Sequence, residues 1–289
     1  MGGGIWTSTR LTLEMIKWEH SIFALPFALT GAVLAAHGWP QPRVLFWIVV
    51  CMVSARSAAM AFNRLADARL DAVNPRTAMR ALPAGRLNTG FVAGFVVISA
   101  GIFLLAAGML NRLTLELAAP TLAVLLAYSY MKRVTRWSHL VLGLALGIAP
   151  SAAWIAVRGS LDPRIAVLTA AVILWVGGFD VLYACQDYEH DRAAGLNSVP
   201  QAFGLTAAFW IARAMHVGMI GLLLWLVRLF GLGWLAAAGV GAVAALLVYE
   251  HSIVSPRDLR RMDAAFFTLN GLISIAFFGF FAADVLLHK

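Results

Sequence analysis

Long apolar runs, interrupted by short polar turns, occupy most of the chain beyond residue 20. Segments able to cross a hydrocarbon core of ~30 Å need about 20 apolar residues in a helix. On that criterion the pattern predicts nine transmembrane helices, near 21–37, 44–62, 91–110, 113–131, 139–157, 165–186, 205–229, 231–249 and 265–287. The turns at Gly38-Trp39-Pro40, Asn111-Arg112, Gly159-Ser160 and Gly231-Leu232-Gly233 are short and built from breaker residues. The connections 63–90, 132–138, 187–204 and 250–264 are longer or more charged. Ahead of the first span, Met15, Ile16 and Trp18 alternate with Glu14, Lys17, Glu19 and His20. That mixture predicts an interfacial helix over residues 1–20 rather than a cleavable signal. The fold expected is all-α: a polytopic integral membrane protein whose helices surround a central cavity.

Composition agrees with the pattern. Only 12% of residues are charged and 61% are hydrophobic, with a mean hydropathy of +0.82; soluble domains carry about 25% charged residues. The length of 289 residues would allow two soluble domains, but the near-unbroken series of spans argues for one membrane unit over 1–289. Charge then orients it. If the N-terminus shares a side with the four longer connections, that side holds fourteen basic residues, including Lys17, Arg64, Arg76, Arg80 and Lys132. The other side holds six, and Arg56 and Arg213 fall within spans. The richer side is expected to face the cytoplasm. The net charge of +8 is accounted for by this asymmetry and by attraction to anionic lipid. Its dispersal among loops gives no reason to expect nucleic acid. Cys51 and Cys185 lie within predicted spans, so no disulfide framework is expected.

The candidate chemistry sits where two spans reach the cytoplasmic side. Asn63, Asp67 and Asp71 recur at four-residue steps after span two, and Tyr183, Asp187 and Asp191 do so at the end of span six. On a helix such residues share one face. Six of the fourteen acidic residues (Asp67, Asp71, Asp180, Asp187, Glu189 and Asp191) belong to these two patterns. Asp180 is expected roughly 10 Å deeper than Asp187, at about 1.5 Å per residue, where an ionisable group usually lines a polar cavity. Opposed carboxylate rows with no clustered His or Cys favour a hard cation, Mg²⁺, shared with substrate phosphate. His190 stands alone and is read as a solvated loop residue. For direct phosphate contact, 63–90 offers Arg64, Arg69, Arg76, Arg80 and Arg86, and Tyr128 precedes Lys132 by one turn. Pro75, Pro83, Gly85 and Asn88 predict a lid-like loop over 72–90. A span ending in an Asp-rich row before a basic loop occurs at 44–90 and again at 165–204. Duplication is one reading of that echo.

Asn-xxx-Asp-xxx-Asp at 63–71, Tyr-xxx-Lys at 128–132 and Asp-xxx-Asp at 187–191, in this order, resemble the UbiA superfamily of intramembrane aromatic prenyltransferases. Asn74-Pro75-Arg76-Thr77-Ala78-Met79-Arg80 and Tyr183-Ala184-Cys185-Gln186-Asp187 support the likeness, which covers essentially the whole chain. The look is of bacterial 4-hydroxybenzoate polyprenyltransferase-like proteins, and Lys17-Trp18-Glu19-His20 resembles a subgroup tied to menaquinone formation by the futalosine route. Arg64 stands where many members carry Asp, which removes one metal ligand and points Arg64 at phosphate.

The resemblance implies a multi-pass enzyme of the bacterial inner (cytoplasmic) membrane that moves a polyprenyl group from its diphosphate to an aromatic acid, in ubiquinone or menaquinone biosynthesis. Asn63, Asp67, Asp71, Asp187 and Asp191 would hold Mg²⁺, with the four aspartates and Lys132 as catalytic residues. Asn63, Arg64, Arg76, Arg80, Tyr128, Lys132, Asp180, Tyr183 and Lys17 would bind substrates, and 63–90 and 187–204 would be active-site loops. The alternative acceptor is 1,4-dihydroxy-6-naphthoate. From the acids alone, a cation-coupled transporter is a rival of another class, although both rows lie at one surface rather than at the midplane typical of transport sites.

Overall fold

The structure, a computed structural model, describes residues 11–12, 16, 21–260, 262 and 265–287. Lys17 and most of the predicted interfacial helix lie outside the described residues. Among the described residues, nine long helices carry the fold: α1 (Ser21–Ala36), α2 (Pro42–Val73), α3 (Thr89–Gly108), α4 (Arg112–Ala127), α5 (Ser138–Arg158), α6 (Ile165–Ala184), α7 (Leu205–Leu229), α8 (Trp234–Ile253) and α9 (Asn270–Leu287). Eight helical stretches among the described residues are long and apolar enough to cross a bilayer, and Ala24–Ala36 is a shorter apolar one. Every predicted span is therefore helical, and the chain is a multi-pass integral membrane protein.

Local chemistry sets the ends. Pro42 opens α2, where its missing N–H costs nothing. Asn88 and Asn111 cap α3 and α4 by accepting from the N–H groups of Gly90 and Thr114, at 2.7 and 2.9 Å. The α2 helix runs on to Val73, well past the predicted end at 62. The segment from Leu65 to Ala72 contains strong helix formers and no breaker. The helix stops only at Asn74, which is extended because Pro75 follows it. The first candidate loop is thus a helix to Val73 and a turn-rich segment from 74 to 88.

The second pattern departs from expectation. Tyr183, Asp187 and Asp191 do not lie on one continuous α-helix, because α6 tightens into a 3₁₀ turn over Cys185–Asp187 before a short helix, Tyr188–Ala194. The end of α4 does the same over Tyr128–Tyr130, followed by Met131–Val134. Such tightening is usual where the last carbonyls of a helix run out of partners. The 187–204 segment is not a loop throughout either. It folds into Tyr188–Ala194 and Val199–Phe203, ended by Gly195 and Gly204 at φ 65° and 82°. His190 lies on the first of these short helices and is half-buried.

Consecutive helices pack side by side, α1 also packs along α5, and α9 returns against α1 to close the ring. Phe27, Trp175 and Phe277 form an aromatic centre between α1, α6 and α9, with ring centroids 4.8–4.9 Å apart. Glycines bring the helices close enough for this, as is common between membrane helices. A Cβ on Gly143 would lie 2.5 Å from the Ile173 carbonyl oxygen of α6, and one on Gly31 2.3 Å from the Pro150 carbonyl oxygen of α5. The 143–147 stretch therefore serves packing. Gly143→Ala is expected to cost about 1–3 kcal/mol through the forced helix separation, read as a lower unfolding temperature in detergent. An unchanged midpoint would show that α5 and α6 can part without loss. Away from the acidic rows, buried Asp284 of α9 accepts from the N–H groups of Gly233 and Ala236 at 2.7 and 3.2 Å, capping α8. Cys51 and Cys185 are both free.

Candidate active site

The even-numbered helices α2, α4 and α6 all return to the same end of the bundle, and there their C-terminal residues meet. Asn63 Nδ2 donates to Asp67 Oδ2 at 3.1 Å, one helical turn away, which leaves the Asn63 carbonyl oxygen available. Arg133, just beyond α4, donates to the Ala66 carbonyl at 2.7 Å and to Asp67 Oδ1 at 3.1 Å. The first acidic row is thereby fastened to the end of α4. Lys132, next to Arg133, lies close enough to interact electrostatically with both Asp67 and Asp191. One cation therefore stands between the two acidic rows.

The 74–88 segment closes the same region from the side. Arg76 crosses to the second row, donating from Nε to Asp187 Oδ1 at 2.9 Å, from Nη2 to Asp187 Oδ2, and from Nη1 to the Tyr183 hydroxyl at 3.1 Å. This is the forked pairing for which guanidinium is suited. Its Cζ also stands over the Tyr183 ring, 5.4 Å from the centroid. Arg80 donates to both oxygens of Asp71 at 2.8 Å, and Thr77 Oγ1 donates to the Asp71 carbonyl at 3.1 Å. Asp71 accordingly anchors the segment that carries Arg76. Arg64 is buried, within electrostatic reach of Arg80, Asp71, Asp67 and Tyr128. Asp191 is only 3% exposed and receives a hydrogen bond from the Ser198 side chain.

One layer deeper, Asp180 accepts from His139 of α5 at 2.7 Å and interacts electrostatically with Tyr128. Several residues engaged here were given no site role from the sequence, among them Arg133, Asn74, His139, Ser198 and Arg56. Asn74 orders the loop start, with its Oδ1 accepting from Arg76 N at 2.9 Å. Arg56 is two helical turns before Asn63 on α2, hence on the same face. Its Nε is buried and has no hydrogen-bond partner, a costly arrangement unless an anion arrives. The signal for it was present, since a guanidinium within a span is a functional hypothesis by default.

Among the described residues, no three His, Cys, Asp or Glu side chains are grouped tightly enough to form a metal cage. The donor set nonetheless fits Mg²⁺. Asn63, Asp67, Asp187 and Asp191 offer hard oxygens only, and Mg²⁺ characteristically takes one or two carboxylates together with substrate phosphate. The arginines on Asp67, Asp71 and Asp187 mark those positions as ones where positive charge is stabilised.

Comparison with known proteins agrees with this geometry. Residues 24–272 match the UbiA prenyltransferase family. The 4-hydroxybenzoate octaprenyltransferase of Methylococcus capsulatus is 32% identical over 256 residues, covering 88% of this chain and 87% of that one. The apo structure of a UbiA homologue from Aeropyrum pernix K1 superposes with a TM-score of 0.85 at 31% identity, covering 93% of this chain and 99% of the other. A UbiA homologue from Archaeoglobus fulgidus bound to DMAPP and Mg²⁺ shares the fold at 16% identity, with a TM-score of 0.74 over 95% of this chain and 98% of the other.

Proposed function

We propose, given that the chain belongs to the UbiA prenyltransferase family and is therefore an enzyme that transfers prenyl groups, that it joins a polyprenyl group to an aromatic acid of the 4-hydroxybenzoate type. The donor is the polyprenyl diphosphate, diphosphate is released, and the product enters quinone biosynthesis. The observation that carries this reading is the meeting of both acidic rows around Lys132 and Arg76 at one end of the bundle. On this reading residues 1–289 form a single catalytic unit, with the active-site segments on the side that the charge balance of the loops assigns to the cytoplasm.

Asn63, Asp67, Asp187 and Asp191, with Asp71 in support, would hold Mg²⁺, which supplies positive charge to the departing diphosphate. Lys132 adds a fixed cation where that charge grows, and Arg76 exchanges Asp187 for phosphate oxygen. Arg64 and Arg80 extend the same positive field. The allylic cation left behind is stabilised by the ring faces of Tyr128 and Tyr183, in a site that helix packing shields from water. The prenyl tail, being lipid-soluble, extends into the bilayer between helices.

The acceptor ring belongs beneath the diphosphate, at the depth of Arg56 and Asp180. Both lie seven residues before a member of their acidic row, about 10 Å further in. Arg56, whose Nε is buried without a hydrogen-bond partner, matches the acceptor's carboxylate, and Asp180 matches its hydroxyl. Arg56→Met is expected to raise KM for the aromatic acid about 10- to 100-fold, the worth of a buried charge-assisted hydrogen bond, with KM for the prenyl donor unchanged. An unaltered acceptor KM would remove Arg56 from the pocket.

A dihydroxynaphthoate presents the same carboxylate and hydroxyl chemistry, and the Lys17-Trp18-Glu19-His20 string favours it as a second reading. Purified protein in detergent, given Mg²⁺ and geranyl diphosphate, separates the two when 4-hydroxybenzoate and 1,4-dihydroxy-6-naphthoate are offered in parallel. Mass spectrometry then reads the products. Prenylation of one acceptor fixes the substrate class, and no product from either, with longer donors also tried, overturns the aromatic-acid reading.

A further inference from the structure

His139 stands in the first turn of α5 and is 1% exposed. Its two ring nitrogens are both engaged. Nε2 accepts a hydrogen bond from the Val199 backbone N–H at 3.2 Å, and Nδ1 lies 2.7 Å from Asp180 Oδ2. A backbone N–H can only donate, so Nε2 presents its lone pair. The hydrogen of the neutral imidazole is then on Nδ1 and is donated to Asp180. Val199 itself follows Ser198, whose side chain bonds Asp191. Two adjacent residues of one turn therefore govern a carboxylate of the diphosphate site and, through His139, the deeper carboxylate of the acceptor site.

We infer that His139 is a positioning residue: it fixes the tautomer that aims Asp180 at the acceptor hydroxyl and ties that aim to the segment carrying Asp191. The inference rests on the acceptor reading given above. The C1–O bond breaks with its electron pair leaving on diphosphate, and the ring carbon then bonds to C1 of the allylic cation. The acceptor hydroxyl proton passes to Asp180. The ring ketone so formed recovers that proton from Asp180 while the ring C–H proton leaves on the diphosphate, which restores aromaticity. With one oxygen of Asp180 held by His139, the other is left to make this exchange. Replacing His139 by an apolar side chain frees the carboxylate to rotate and leaves the Val199 N–H without its acceptor.

Kinetics and spectroscopy test this separately. His139→Leu is expected to lower kcat about 10- to 100-fold, below the 10²–10⁴ that removing a general base itself costs, with KM for geranyl diphosphate unchanged. His139→Asn places an amide N–H near the Nδ1 position and should recover most of the loss. In an Asp180→Asn background, His139→Leu should change kcat by no more than about twofold, because residues acting through one group are not additive. Equal costs in both backgrounds, or full activity in His139→Leu, overturns the inference. A ¹⁵N-histidine spectrum of the detergent-solubilised protein, with His139→Asn identifying the signal, should show the Nδ1–H tautomer. An Nε2–H tautomer or an imidazolium there overturns it without reference to turnover. If the wild type prenylates neither acceptor, the acceptor reading fails, and the spectrum still decides how His139 holds Asp180.

Discussion

Asp187→Asn is expected to reduce Mg²⁺-dependent prenyl transfer by at least about a thousand-fold, a loss of roughly 4 kcal/mol in transition-state stabilisation. Asp67→Asn should do the same. Each exchange keeps the side chain's size and removes the charge a divalent cation needs. In the structure Asp187 is held by Arg76 and Asp67 by Arg133, and these are partly exposed pairs whose loss costs little folding stability. Activity and stability therefore separate. Both variants should enter the membrane, elute as wild type from a sizing column in detergent, and fail to turn over at any Mg²⁺ concentration. Wild-type-like rates in both would end the metal assignment. They would also revive a non-catalytic role for the two rows.

Lys132→Met is expected to lower kcat by about 10²–10³-fold, the scale seen when one preorganised stabiliser of developing charge is removed. The reason is its place between the rows. Lys132 interacts with Asp67 on one side and Asp191 on the other, and its backbone carbonyl accepts from Asn197 N–H at 2.8 Å. Its charge is thus preset where the leaving diphosphate would gain charge. Lys132→Arg should rescue poorly, since a planar fork cannot replace a point charge in a space shaped for an ammonium. Rate constants from single-turnover assays at saturating donor check this. A raised donor KM with unchanged kcat would instead make Lys132 a binding residue with no part in the chemical step.

Family membership makes the chain an enzyme and sets the transporter alternative aside. The structure agrees on physical grounds. The paired acids lie at the ends of α2 and α6, with arginines from neighbouring segments reaching them, and not on broken helices at mid-membrane.

Much of this was legible in residue order. Nine apolar segments follow directly from hydropathy because a bilayer forces every backbone group to bond within its own helix. The Asn63, Asp67 and Asp71 row was legible too, since a four-residue period survives as long as the helix does, and α2 does continue to Val73. The row at Tyr183, Asp187 and Asp191 was only partly so. Hydropathy marks where a span ends but carries no information on whether its last turn tightens, and the 3₁₀ turn over Cys185–Asp187 changed the angle between these residues.

What residue order could not supply was partnership. Arg76 and Asp187 stand 111 positions apart, as do His139 and Asp180 at 41 and Arg133 and Asp67 at 66. Local sequence weighs the helix each residue sits on but not the neighbour across the bundle. Family resemblance singled out Arg64, Arg76 and Arg80 from the basic run that also holds Arg69 and Arg86, but only the turn of the chain at Asn74 and Pro75 aims Arg76 at the second row and Arg80 at Asp71. The sequence by itself determined the membrane and the helices, because both rest on local composition and period. The tertiary structure alone decided which carboxylate meets which cation, that Arg56 Nε is buried and unpaired, and that His139 holds Asp180. Those depend on which helices lie beside one another, and that is settled by packing such as Gly143 against Ile173.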